Sequence, residues 1–109
     1  MPTVYKVLGQ SAPSATTATT LYTVPAATSA VISTITVANL AATSATFRIA
    51  IRPAGAALAN QHYVAYDCSV GANDTTALTL GLTLATTDVV TVYASTANLT
   101  FNAYGSEIS

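Results

Sequence analysis

With 109 residues the chain has room for one domain and a modest core, and 51% of it is hydrophobic while only 6% is charged, against roughly 25% in an ordinary globular protein. Three cations, Lys6, Arg48 and Arg52, are too few to neutralise a run of nucleic-acid phosphates, and an abundance of β-branched residues with almost no charge excludes intrinsic disorder. The single cysteine, Cys68, excludes an intrachain disulfide or a thiolate metal cluster.

The opening Met-Pro-Thr-Val-Tyr-Lys lacks the basic-then-apolar pattern of a secretory signal. From Val7 to Phe47 no charge occurs, yet Thr, Ser and Pro interrupt the stretch throughout, so it offers no apolar run long enough to span a bilayer. A soluble chain without a membrane partner is expected.

Period-two alternation dominates from end to end, the pattern of strands with one buried face. A first strand is predicted over residues 4–9. Residues 11–20, rich in Ser, Ala and Thr, then read as an extended arm or a linker joining the first strand to the body, which divides the chain into an N-terminal strand and arm (residues 1–20) and a sandwich domain (residues 21–109). Strands over 21–24 and 31–38 follow. The clearest is Thr46-Phe47-Arg48-Ile49-Ala50-Ile51-Arg52, with Phe47, Ile49 and Ile51 facing inward and Arg48 and Arg52 outward. Residues 54–61 read as a loop before a strand over 62–70. In Leu78-Thr79-Leu80-Gly81-Leu82-Thr83-Leu84 four leucines share one face, which predicts a continuous strand. Strands over 89–95 and 99–105 complete the set, and Pro25 and Pro53 stand at strand ends, where a missing N–H does least harm. Short strands with regular turns predict an all-β sandwich of two antiparallel sheets with about eight strands, jelly-roll in type. An immunoglobulin-like Greek key is the alternative.

Chemistry-bearing residues are sparse. His62 and Cys68 lie six residues apart on one predicted strand, about 20 Å, beyond reach for a nucleophile and its base. Asp67, Asp74, Asp88 and Glu107 are scattered singly, without the pairing that acid–base catalysis needs. Asp74 and Asp88 sit as turn formers, with a calcium site at Asn73 and Asp74 as the lesser reading. No catalytic, metal or cofactor-binding residue is expected. Arg48 and Arg52 share an outer face and suit either solvent or a partner subunit. The six tyrosines divide between core, interface and, as a third reading, a sugar-binding groove. Candidate interface residues are Tyr5, Lys6, Arg48, Arg52, Tyr63 and Tyr66.

Leu21-Tyr22-Thr23-Val24-Pro25-Ala26, followed by Val31-Ile32-Ser33-Thr34-Ile35-Thr36-Val37, resembles a segment of small bacteriophage virion proteins. The ending from Val92-Tyr93-Ala94-Ser95 through Leu99-Thr100-Phe101-Asn102-Ala103-Tyr104-Gly105-Ser106-Glu107-Ile108 looks like the close of the same group, as found in cyanophages and other phages of aquatic bacteria. With Phe47-Arg48-Ile49-Ala50-Ile51-Arg52-Pro53, the likeness covers most of the chain after Thr20. It implies a non-enzymatic virion protein that forms a homo-oligomer, a trimer in the leading form, packed on the major capsid protein or other virion subunits. Two roles fit: a capsid decoration (cement) protein, or a small tail fibre or neck component. A host-glycan-binding module is the reading from a different class.

Overall fold

The computed structural model describes residues 2–109. Its strands are β1 (Thr3–Ser11), β2 (Thr19–Thr23), β3 (Ser29–Asn39), β4 (Ala45–Arg52), β5 (Tyr63–Val70), β6 (Thr75–Leu78), β7 (Leu82–Leu84), β8 (Val89–Ala94) and β9 (Leu99–Ile108). One sheet runs β1-β9-β3-β6, with β7 also on β3; the other runs β2-β8-β4-β5. The pairing is nested and antiparallel: β1 with β9, β2 with β8, β3 with β6 and β7, and β4 with β5. A long hairpin rolled onto itself produces this nesting, which is the jelly roll. An immunoglobulin-like sandwich would instead pair its first two strands in one sheet, whereas here β1 and β2 lie in different sheets.

The alternation in β4 does what its pattern predicts. Phe47 and Ile49 are fully buried, Ile51 packs against the same core, and Arg48 and Arg52 project outward. Across the sandwich they meet Ile35, Val37, Leu99 and Phe101, with Val90 and Val92 beside them, and Phe47 and Phe101 touch edge to face at 6.1 Å between centroids. Among the described residues helix is confined to two short 3-10 turns, Pro53–Gly55 and Asn60–His62, which overlap the segment read as a loop and reach one residue beyond each end of it, so His62 ends a turn and does not open the next strand.

A fold line crosses the first sheet. On β1 the register slips between Val7 and Gly9, opposite Tyr104 and Ala103 of β9, and on β3 it slips between Ile32 and Thr34, opposite Gly105 and Tyr104. The extra residue on β3, Ser33, resets side-chain parity, so Ile32 and Ile35 both point into the core despite their odd spacing. The leucine run breaks at the same level: β6 pairs with Ile35–Ala38 and β7 with Ala30–Ile32, leaving residues 79–81 outside either strand. Gly81, at φ +61°, turns the chain there and Leu80 is exposed. The expected single strand is thus two, and one sheet position is filled by both.

The N-terminal segment forms the expected first strand and then a connection to the second sheet. From Thr3 to Ser11 it lies along β9 as an edge strand, and the Ser109 N–H donates to the Pro2 carbonyl at 3.1 Å beyond the end of the ladder. Residues 12–18 cross to the second sheet with Pro13 buried and the Thr16 N–H donating to the Ala94 carbonyl at 2.8 Å. Met1 lies outside the described residues.

At the open end of the sandwich the Tyr22 hydroxyl donates to Glu107, and Lys6 Nζ pairs with the same carboxylate at 2.8 Å. The Lys6 contact, then the Tyr22 hydroxyl, hold the Glu107 carboxyl below its usual range, while burial, aided by the carboxylate, pushes the Tyr22 phenol well up. The depressed Glu107 pKa contributes stability that is present above the ordinary carboxylate pKa and lost as pH falls through the folded value. The raised Tyr22 pKa contributes stability present below the ordinary phenol pKa and lost as pH rises through the folded one. Melting temperature is therefore expected to be flat near neutrality and to decline on both wings. Tyr22→Phe should remove its share of the alkaline decline and lower stability by about 1–2 kcal/mol, as checked by thermal melts across pH.

Candidate functional site

Two outer surfaces carry the candidate residues, one on each sheet. On the second sheet the site is built around Arg48. Opposite it on β8 stands Tyr93, a direct cross-strand neighbour, whose ring lies 4.4 Å from the guanidinium carbon. On the other side β5 bulges: Phe47 pairs with Cys68 and Ile49 with Ala65, so Tyr66 and Asp67 together face Arg48. Asp67 adopts φ +50°, a left-handed conformation that aspartate tolerates better than most residues. Its Oδ1 accepts from Arg48 Nε at 2.7 Å, and the Tyr66 ring takes the guanidinium at 4.2 Å. The Asp67 bond raises the arginine's already high pKa, so the group stays charged.

A second slip, between Ile49 and Ala50, inserts Val64 and brings Tyr63 to the outer face opposite Ala50. Tyr63 and Tyr66, three apart and so on opposite faces of a regular strand, meet edge to face at 4.9 Å between centroids. With Asn60, from the 3-10 turn that precedes β5, they line a depression of about 350 Å3. The stack reads Tyr93, Arg48, Tyr66, Tyr63. Its central guanidinium is clamped between two rings, the geometry of a cation–π contact.

Arg52, four residues along β4, is used differently. Its Nε donates to the Ala56 carbonyl at 2.8 Å, and its Nη atoms reach the Gly55 carbonyl and the Thr91 hydroxyl. It clasps the loop after β4 over the outer face of β8, where Val89 and Thr91 are buried. Arg48 and Arg52, which share a face in the sequence, therefore serve separate clusters.

On the first sheet, Tyr5 and Lys6 lie on edge strand β1 beside the fold line. Tyr5, Val7, Val31 and Tyr104 surround a groove of about 540 Å3 over Gly105. Tyr5 is 83% exposed, the highest value of any large hydrophobic side chain described. Lys6, the one charged residue at this groove, is tied to Glu107. The six predicted interface residues thus fall into three places: Tyr5 and Lys6 here, Arg48, Tyr63 and Tyr66 on the opposite face, and Arg52 at the loop.

The remaining titratable residues are occupied locally. His62 Nδ1 accepts from the Ala59 N–H at 3.1 Å, within its own 3-10 turn, and the partly buried Cys68 lies against the Tyr66 carbonyl. Asp88 accepts from the Ala54 and Ala85 N–H groups, and Asp74 from the Thr75 N–H, as turn formers do. Sequence reasoning missed Tyr93, Asp67 and Asn60 in one cluster and Val7, Val31 and Tyr104 in the other. Their signal is strand register, which no single segment contains.

Together these features define a jelly-roll sandwich with an aromatic–guanidinium cluster on one outer face and an apolar groove on the other. No family model, no curated protein and no solved structure matches the chain.

Proposed function

We propose that the chain is a non-enzymatic structural component of a bacteriophage particle: a capsid decoration protein that assembles as a homotrimer and packs on the major capsid protein or neighbouring virion subunits. The observation that carries this reading is the nearly uncharged outer face of the first sheet, where Tyr5, Val7, Val31 and Tyr104 stand around one groove. Contiguous exposed apolar surface on a small protein marks a contact face, and tyrosine is enriched at such faces. With so few ions, copies of this face meet without like-charge repulsion and without stripping water from charged groups. The resemblance of its strand motifs to those of phage virion proteins supports the same role. A small tail fibre or neck component would use the same surface at a different place on the particle.

Sedimentation of the purified chain is the first test, and the expected species is an oligomer. Tyr5→Lys places a charge in the groove at an exposed position, so it should shift the species to monomer while leaving the melting temperature of the fold within a few degrees. Antibody labelling of phage particles from aquatic bacteria then locates it, capsid-wide labelling supporting decoration and tail labelling the fibre or neck role. A chain that sediments as a monomer at every concentration and labels no particle would overturn the proposal.

A further inference from the structure

The Tyr63–Tyr66 depression is separate from that groove and lies on the opposite outer face of the sandwich. We infer that it is a binding site for an uncharged pyranose saccharide, with the ring of Tyr66 as the stacking platform and Asn60 and Asp67 as the hydrogen-bonding groups beside it.

Tyr66 carries the inference. Its ring is 55% exposed yet fixed in place, with the Arg48 guanidinium at 4.2 Å and the Tyr63 ring packed edge to face. A rigid exposed ring binds with little loss of side-chain freedom. Its electron-rich face attracts the weakly positive C–H bonds that line one side of a pyranose ring. Around it the polar groups suit hydroxyls. The Asn60 side chain, on an exposed residue that lines the depression, offers one acceptor and two donors. Arg48 occupies only Oδ1 of Asp67, which leaves Oδ2 as an acceptor beside the ring. A depression of about 350 Å3 is in the lower part of the range for small-ligand sites.

Charge narrows the ligand class. Arg48 is the cation of this cluster, and its charge is balanced by Asp67 at 2.7 Å, so the site holds no net field for a phosphate, sulfate or carboxylate. Here two successive register slips in β5 turn both tyrosines outward and leave a concavity between them and the loop. Bulges commonly re-aim side chains next to functional sites.

The test uses the full chain in isolation, so its outcome is independent of the virion reading. Amide spectra are recorded during titration with cellotetraose, chitotetraose and lactose as neutral probes, and with a sulfated disaccharide as the charged one. At least one neutral probe is expected to shift signals confined to Arg48, Asn60, Tyr93 and β5. Tyr66→Ala should weaken that binding by about tenfold, the scale of one lost aromatic contact, whereas Tyr5→Ala on the other face should not change it. Asn60→Ala, at an exposed loop position, should also weaken it while leaving the melting curve intact. No response to any neutral probe, a response to the sulfated disaccharide alone, or unchanged titration by Tyr66→Ala and Asn60→Ala would each overturn the assignment.

Discussion

Phe101→Ala is expected to lower the unfolding free energy by about 3–5 kcal/mol. Phe101 is fully buried on β9, and its ring meets the edge or face of Phe47 from the opposite sheet at 74° between planes. These two rings are the largest fully buried side chains, so truncation removes both transferred apolar area and the contact that holds the layers at their spacing. The sandwich has few ways to close the gap, because Ile35 and Ile49 are held by ladders on both sides and Leu99 by the ladder to β3. Against a typical total of about 5–15 kcal/mol the loss is a large fraction of stability, and the midpoint should fall by on the order of 15–25 °C. Urea unfolding of the variant beside Tyr5→Ala, which should stay within about 0.5 kcal/mol of the parent, checks it. A loss under about 1 kcal/mol would mean that the core repacks around the space.

Gly105→Ala should be as damaging, for the opposite reason. A Cβ built at Gly105 overlaps the Val31 carbonyl oxygen and approaches the Ile32 Cα, and both are backbone. Gly105 pairs with Lys6 on one side and Ile32 on the other, so it sits at the fold line where β1 and β3 both slip register. Relief requires the β3–β9 ladder to open just where the sheet bends. Overpacking against movable side chains typically costs about 1–3 kcal/mol; against a carbonyl held in a ladder the expected loss is about 3 kcal/mol or more, with reduced yield of folded protein. Hydrogen exchange should localise the damage to residues 3–6, 29–32 and 104–108. Gly71→Ala is the matched control, because its Cβ meets only the Asp74 side chain at ordinary contact distances, and it should remain within about 0.5 kcal/mol.

Much of the sandwich was legible from single segments. The alternation in Thr46–Arg52 assigned its faces without error, since a residue's side in a regular strand depends only on parity. Strand positions elsewhere agreed within a few residues, and eight sheet positions emerged as expected, with β6 and β7 sharing one. Errors arose where parity is broken. The leucine run kept its two-residue period through Gly81, but a positive φ at that glycine ended the ladder, and nothing in the spacing of the leucines reports it. Low complexity left residues 11–20 open between an arm and a linker; Ser11 pairs with Phe101, Pro13 is buried, and the segment connects β1 to β2.

Composition and local pattern by themselves determined an all-β chain with one small core, one thiol, and a surface of Thr, Ser and Ala with few ions, because those properties follow from residue type and period alone. The tertiary structure alone decided which outward residues meet. Tyr93 reaches Arg48 only through the β4–β8 register, and Tyr63 joins Tyr66 only because β5 slips twice. Tyr5, Val31 and Tyr104 share a groove only because first, third and last strands lie side by side. Such contacts join residues distant in the chain, and the hydrogen-bond ladder that aligns them exists only once the sheets have formed.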